Sequence, residues 1–354
     1  MLSLAAAGLT GATVLFTRHA RSSRQTSDSV SMELRELLGY GLPLYLASIL
    51  GGFLTQYQNI VLAHLASNVE IGNFGATWNF TAFMTILTYP ITTAMFPMFS
   101  KMDPKSQKSD LARGFVLAVK YTSLLMIPAS IGVMVFSRDF IYLTYGSGYA
   151  LAPQYLVLLS ALYLLTAISY LVLWNFLNGV AETGTVVKMS VLTLAVYLPL
   201  SPLLAWLWGP YGLLVAYILS NAASTVYGIR QVSEGFEESS STLYGIRQTS
   251  VRFDARPDLR VGGKILLAAL AAATPTIVLI QLDGAGVGVV NLVVGGLLYV
   301  CVYLTLAPIL GAVEKQDILN LRTLVGGTRI VSTVVKPVFD YESMLVSAVR
   351  RDRS

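Results

Sequence analysis

The chain has 354 residues, 55% hydrophobic and only 12% charged, with a formal net charge of +5 and a mean hydropathy of +0.65. Soluble domains carry about 25% charged residues, so a water-exposed globule of this composition is excluded and long apolar runs must lie in lipid. Cys301 is the only cysteine, and His19 and His64 are the only histidines and lie far apart, so no disulfide, metal site or cofactor is expected.

Apolar segments run at about 2–17, 42–65, 71–98, 115–136, 155–177, 187–208, 211–229, 264–282 and 287–310. Most approach the ~20 residues that a bilayer-spanning helix needs. The expected fold is an all-α polytopic bundle of about nine transmembrane helices. Pro43, Pro90, Pro128, Pro199, Pro202 and Pro275 fall inside these runs, which membrane helices tolerate because neighbours re-satisfy the freed carbonyls. The first run is short and has its arginines after it rather than before it. That order argues against a secretory signal. Residues 1–32 read as a truncated transmembrane helix with a cytoplasmic linker.

In the second segment Tyr45, Ser48, Gly52, Gln56 and Asn59 recur at steps of three or four and share a face. In the third, Thr77, Thr81, Thr85, Thr88 and Thr92 do the same, beside Trp78 and Asn79. These faces either line a wet cavity or glue helices together through small and hydroxyl side chains. Packing is the expectation for the threonines. The amides of Gln56 and Asn59 need several partners and fit cavity lining equally well. Lys120 sits roughly 9 Å into the fourth segment. Its expected behaviour is snorkelling to the cytoplasmic surface; it is also the one cation at membrane depth placed to meet an anionic group. Asn175 and Asn178, at the inner end of the fifth segment, are expected to cap the helix at the interface.

The stretch "STVYGIRQVS", 224–233, is nearly repeated by "STLYGIRQTS", 241–250. The first copy ends the seventh segment and the second falls in the loop 231–262. A tandem duplication of helix end plus linker is expected, since lengthening a surface loop costs little entropy; the alternative is a docking element on Tyr227/Arg230 and Tyr244/Arg247. Beyond 310, "VEKQDILNLRTLVGG" places Ile318, Leu321 and Val325 on one face. That pattern suits a short helix on the inner leaflet, with a solvated tail as the competitor.

Charge fixes the topology. With 18–41, 99–114, 178–186, 230–263 and 311–354 in the cytoplasm, Arg138 is the only one of the 24 Lys and Arg residues at the outer side. The basic residues thus bracket membrane segments, and no nucleic-acid stripe forms. All 19 Asp and Glu residues fall in loops or tails. No clustered acid/base pair faces outward, so an enzyme is not expected, and no intramembrane carboxylate marks an ion path.

Several motifs resemble the C-terminal lobe of a polysaccharide flippase of the MOP (multidrug/oligosaccharidyl-lipid/polysaccharide, MATE-like) superfamily. They are Gly41 and Pro43 opening the second segment; Phe96, Pro97, Ser100 and Lys101 closing the third; Gly146, Gly148 and Tyr149 at an outer turn; and "NFLNGVAETGTVVKMSV" at an inner loop. The match runs from about 33 to 340. It departs at Gln58–Asn59, where related sequences often carry an acid. The resemblance implies a six-helix lobe at 33–230, an added helix pair at 263–310 and a cytoplasmic amphipathic tail at 311–354. It implies alternating-access flipping of a lipid-linked oligosaccharide or polysaccharide precursor across the cell membrane, with the path between two lobes. The N-terminal lobe is then expected on a separate chain or a second copy. Gln56, Asn59, Trp78, Asn79 and Lys120 are the expected substrate contacts. The alternatives are a MATE-type exporter of small cationic molecules, or an inactive or scaffolding membrane fragment of a glycan-assembly system.

Overall fold

The computed structural model of the chain describes residues 27–102, 107–234, 258–282, 288–314, 316–319, 341, 342 and 344, with the side chains of 27–36, 89–98, 108 and 234 left aside. The first predicted segment, the second copy of the repeat and Leu321 and Val325 of the tail lie outside the described residues. Within them the chain forms eleven α-helices and no strand. They are α1 Ser27–Leu65, α2 Asn68–Asn79, α3 Thr81–Ser100, α4 Lys108–Val135, α5 Ser137–Tyr145, α6 Ala152–Ala161, α7 Tyr170–Gly179, α8 Thr183–Trp208, α9 Pro210–Glu234, α10 Leu259–Leu282 and α11 Gly296–Ile309. A 3₁₀ stretch, Leu162–Ile168, links α6 to α7, and a π-turn, Asn291–Gly295, leads into α11.

Six helical spans are long and apolar enough to cross a membrane, and α6–α7 makes a seventh if counted as one bent by 55°. The expected third and fifth segments are each broken. The third splits at Phe80 into α2 and α3. The fifth breaks at Ser169, whose backbone is left-handed with φ 75°. Helix α4 braces this second break: Ser123 Oγ donates to the Thr166 carbonyl at 3.1 Å and Ser130 Oγ to the Ser160 carbonyl at 2.5 Å. Each serine adds a second donor to a carbonyl beside the break and ties α4 to it.

Prolines inside α4 and α8 are handled the same way. A proline at position i cannot donate to the carbonyl at i−4. Pro128 frees the Leu124 carbonyl, and the Tyr303 hydroxyl from α11 donates to it at 3.0 Å. Pro202 frees the Leu198 carbonyl, and Tyr57 from α1 donates to it at 2.9 Å. Each bond repairs one helix and fixes a neighbour against it.

The bundle has two main packing faces on α4. Phe99, Phe115 and Phe176 join α3, α4 and α7, with ring centroids 5.0 and 4.8 Å apart. On the other side Ala268, Ala269, Ala272 and Ala273 of α10 let that helix approach closely, as small residues do between membrane helices. The α8–α9 hairpin turns at Gly209, φ +59°, and closes so tightly at Gly212 that an added Cβ would lie 2.0 Å from the Leu204 carbonyl oxygen. The first copy of the repeat is the end of α9. Gly228 lies against Leu173 and Met189, and Tyr227 and Ile229 pack on the adjoining core.

Candidate functional site

A cavity of about 480 Å³ opens between α1, α7, α8 and α9, with Trp78 of α2 reaching in. Its wall has aromatic rings from Trp78, Trp174 and Tyr217, amides from Asn178 and Asn221, and hydroxyls from Ser48, Thr55, Ser190 and Thr193. No charged side chain is among the described residues that line it. The rings are held by one another. Trp78 stacks on Phe74 at 5.8 Å and meets Tyr217 edge-on at 5.4 Å, and Tyr217 meets Tyr197 edge-on at 6.2 Å. Such aromatic pairs are preferred geometries and fix ring orientation.

The polar groups divide by availability. Ser190 and Thr193 donate back to the Val186 and Met189 carbonyls of α8, and Asn221 Nδ2 donates to the Tyr217 carbonyl at 2.8 Å. Asn178 Oδ1 is buried without a protein partner. A buried amide oxygen left in that state is costly unless a water or ligand donates to it. The helix cap expected there is absent: Asn175 Nδ2 instead donates back to the Leu171 carbonyl of its own helix.

Of the five expected contacts, the structure places Trp78 in the wall. Gln56 and Asn59 are exposed on α1, next to the lining residue Thr55 but outside the wall. Between them Gln58 is 2% exposed and accepts from the Tyr197 hydroxyl at 3.2 Å. Asn79 is exposed and donates to the Tyr145 hydroxyl at 3.0 Å. Lys120 is not among the lining residues: its ammonium donates to Asp317 at 2.6 Å, with side-chain exposures of 15% and 4%. A buried ammonium needs a buried counter-charge, and the chain supplies one from beyond α11. In the threonine stripe Thr77 donates to the Asn73 carbonyl and across to the Ala152 carbonyl, whereas Thr81, Thr85 and Thr88 bond back within their own segment; the Thr92 side chain lies outside those described.

Trp174, Tyr217, Asn178 and Asn221 are the wall residues that the sequence did not single out as contacts. They lie on two helices, Trp174 and Asn178 on α7 and Tyr217 and Asn221 on α9, and the convergence of those helices with α1 and α8 leaves no mark in the spacing of either. Asn73 is a further unforeseen group. Its Oδ1 accepts from the Leu151 and Ala152 amides at 3.1 and 2.9 Å and so caps the start of α6 from α2. At the α7–α8 turn, burial pushes the Glu182 carboxyl up to about 7, against the opposing pull of Lys188.

Residues 3–153 match the family described as "Polysaccharide biosynthesis protein". The chain is 23% identical over 192 residues to the "Probable low-salt glycan biosynthesis flippase Agl15" of Haloferax volcanii, covering 54% of this chain and 40% of that protein. It therefore spans about two-fifths of the length of that relative. Among solved structures it superposes on the lipid II flippase MurJ, inward closed, with a TM-score of 0.60 and 15% identity over 78% of this chain and 55% of MurJ. It also superposes on an outward-facing MATE multidrug-resistance transporter of the MOP superfamily, with a TM-score of 0.51 and 14% identity over 89% and 77% of the two chains. The chain is a multi-pass membrane protein with the helical fold of these transporters, related in sequence to a glycan flippase.

Proposed function

We propose that this chain forms one lobe of a flippase that moves a lipid-linked oligosaccharide or polysaccharide precursor across the cell membrane by alternating access. A second lobe, on a separate chain or a second copy, faces the exposed side of α1 and completes the path. The observation that carries this reading is the uncharged, aromatic and amide-lined cavity. A sugar offers hydroxyls to amides and C–H faces to aromatic rings, and the head of such a lipid must cross roughly 30 Å of hydrocarbon. The relatedness to a glycan flippase supports the same substrate class. A small-cation exporter on this fold needs carboxylates to hold its cargo, and the described wall has none.

Among the described residues the cavity wall holds no cation for the lipid phosphate, and Lys120 is paired with Asp317. The phosphate falls to the other lobe, and this lobe meets the sugar. The charge distribution puts the α3–α4, α7–α8 and α9–α10 connections and the C-terminal tail in the cytoplasm. Gln56 and Asn59 extend the polar wall along α1 toward the second lobe.

The test is chromosomal replacement in the native host by the Gln56→Leu/Asn59→Leu variant. Membrane insertion is expected to be unchanged. Lipid-linked precursor should accumulate on the inner leaflet, because the inter-lobe groove becomes dry. Normal translocation by the double variant would remove these residues from the path.

A further inference from the structure

Helix α4 and the bent pair α6–α7 run in opposite directions, and their contacts fix the register. The rings of Phe115 and Phe176 meet at 4.8 Å. Ser123 Oγ donates to the Thr166 carbonyl and Ser130 Oγ to the Ser160 carbonyl. On α4, Phe115, Ala118 and Val119 pack in one cluster with Val172, Leu173 and Phe176 of α7. Thr122 extends that stripe by one more turn of α4. It therefore comes level with the break at Ser169, one turn before Val172. Thr166 belongs to the same break, since the Ser169 amide donates to its carbonyl at 2.9 Å. Residues three apart share an edge of a 3₁₀ stretch, which puts Thr166 and Ser169 on one side of it.

Three hydroxyls are thus brought to one level. Thr122 is 1% exposed, and Thr166 and Ser169 are fully buried. None of the three oxygens has a hydrogen-bond partner among the described residues. Other buried hydroxyls satisfy themselves: Thr193, Thr225 and Thr276 each donate to the carbonyl four residues back. Thr122 lies in an uninterrupted stretch of α4, where the same kind of carbonyl is on offer, and does not use it.

A buried hydroxyl without a partner is costly. Three of them border a residue already held in the left-handed region, Ser169 at φ 75°. Such a cluster persists when one small molecule serves all its members. The three groups are neutral, and each can donate or accept. Water fits that set, because it does both and takes about two to four polar partners when buried. We propose that Thr122, Thr166 and Ser169 hold an internal water at the α6–α7 break, and that this water keeps the helix pair bent. Helix α7 carries Trp174 and Asn178 of the cavity wall, so the water sets the direction of the helix that presents them.

Two measurements on the full chain in detergent test the site. In a density map that shows ordered water elsewhere, a peak is expected roughly 2.7–3.2 Å from at least two of the three oxygens. In unfolding experiments Thr122→Val, Thr166→Val and Ser169→Ala should each lower the midpoint, because each takes away a bond that holds the water. Thr166→Val combined with Ser169→Ala should lower it by clearly less than the two single losses together, because both hydroxyls serve one molecule. A hydroxyl with no partner of any kind behaves in the opposite way: its removal leaves the midpoint unchanged or raises it. That result, a dry site in such a map, or additive losses in the double variant would each overturn the proposal. So would a midpoint that differs between sodium and potassium in the parent but not in Thr166→Val, which would make the site one for a cation.

Discussion

Helices α1 and α4 look alike by composition and behave differently. Each contains one proline inside the helix, and both have the same mean hydropathy over their spans. Yet among the described side chains of α1 only Leu54, Gln58, Val61 and Leu62 are buried, while over half of the most apolar 18 residues of α4 are buried. Helix α4 is the axis on which α3, α7, α10 and α11 pack. Its polar groups are spent inward: Ser123 and Ser130 on the α6–α7 break, Lys120 on Asp317. Helix α1 holds the lobe by one edge, through Tyr57 and Gln58 to α8, and leaves Gln56, Asn59 and three glycines uncovered. Hydropathy reports that a helix spans. The fate of its polar groups reports what the helix is for.

The largest effect that sharpens this contrast comes from removing a polar group at comparable depth in each helix. Lys120→Met leaves Asp317 buried without its cation and should cost about 3–5 kcal/mol, read as a lower unfolding midpoint in detergent. Adding Asp317→Leu should restore most of that loss, because a buried pair replaced by apolar groups is often neutral. Gln56→Leu or Asn59→Leu in α1 should leave the midpoint nearly unchanged, since neither is covered. Equal losses in the two helices would erase the distinction.

A smaller test uses glycine. A Cβ at Gly132 of α4 meets the Tyr299 ring at 3.4 Å, whereas one at Gly52 of α1 meets nothing within 4 Å. Gly132→Leu is therefore expected to overpack the α4–α11 contact at about 1–3 kcal/mol. Gly52→Leu should fold like the parent in detergent. If the second lobe closes on this face of α1, that same variant should lose translocation in cells while retaining its midpoint. Full translocation would place Gly52 against lipid instead.

The sequence made some of this legible and hid the rest for physical reasons. Spans were readable because lipid demands long apolar runs. In the threonine stripe, Thr81, Thr85 and Thr88 were readable as self-satisfied because a hydroxyl in a helix can return to a carbonyl three or four residues back. Trp78 was found as a wall residue from its place beside that stripe. Trp174 on α7 and Tyr217 and Asn221 on α9 were not, because only tertiary packing brings those two helices together around Trp78. The break at Ser169 carries neither glycine nor proline and so left no local sign. Lys120 did leave one: an ammonium within an apolar run needs a counter-charge. What could not be read was that Asp317, from a segment with the polarity of a solvated tail, folds back to supply it.

The smallest prediction compares the two proline repairs. Both Tyr303 and Tyr57 donate to a carbonyl that a proline has freed on another helix, at 3.0 and 2.9 Å. Removing either hydroxyl strands an acceptor, a loss of about 1–3 kcal/mol where the carbonyl stays buried and less where water reaches it. Tyr303 is 7% exposed and packed in the core around α4, so the Leu124 carbonyl has no substitute donor at hand. Tyr57 is only half-buried, although it packs at the edge of two core clusters, beside Leu54 and Tyr197 and beside Val61 and Leu62. Tyr303→Phe should therefore lower the detergent unfolding midpoint measurably more than Tyr57→Phe. The order should reverse in a transport assay. Tyr57 sets the angle of α1 against α8, two walls of the cavity, whereas Tyr303 holds a helix pair that the cavity does not touch. A Tyr57→Phe protein that transports as the parent does, with a midpoint as low as that of Tyr303→Phe, would make α1 a structural helix like α4.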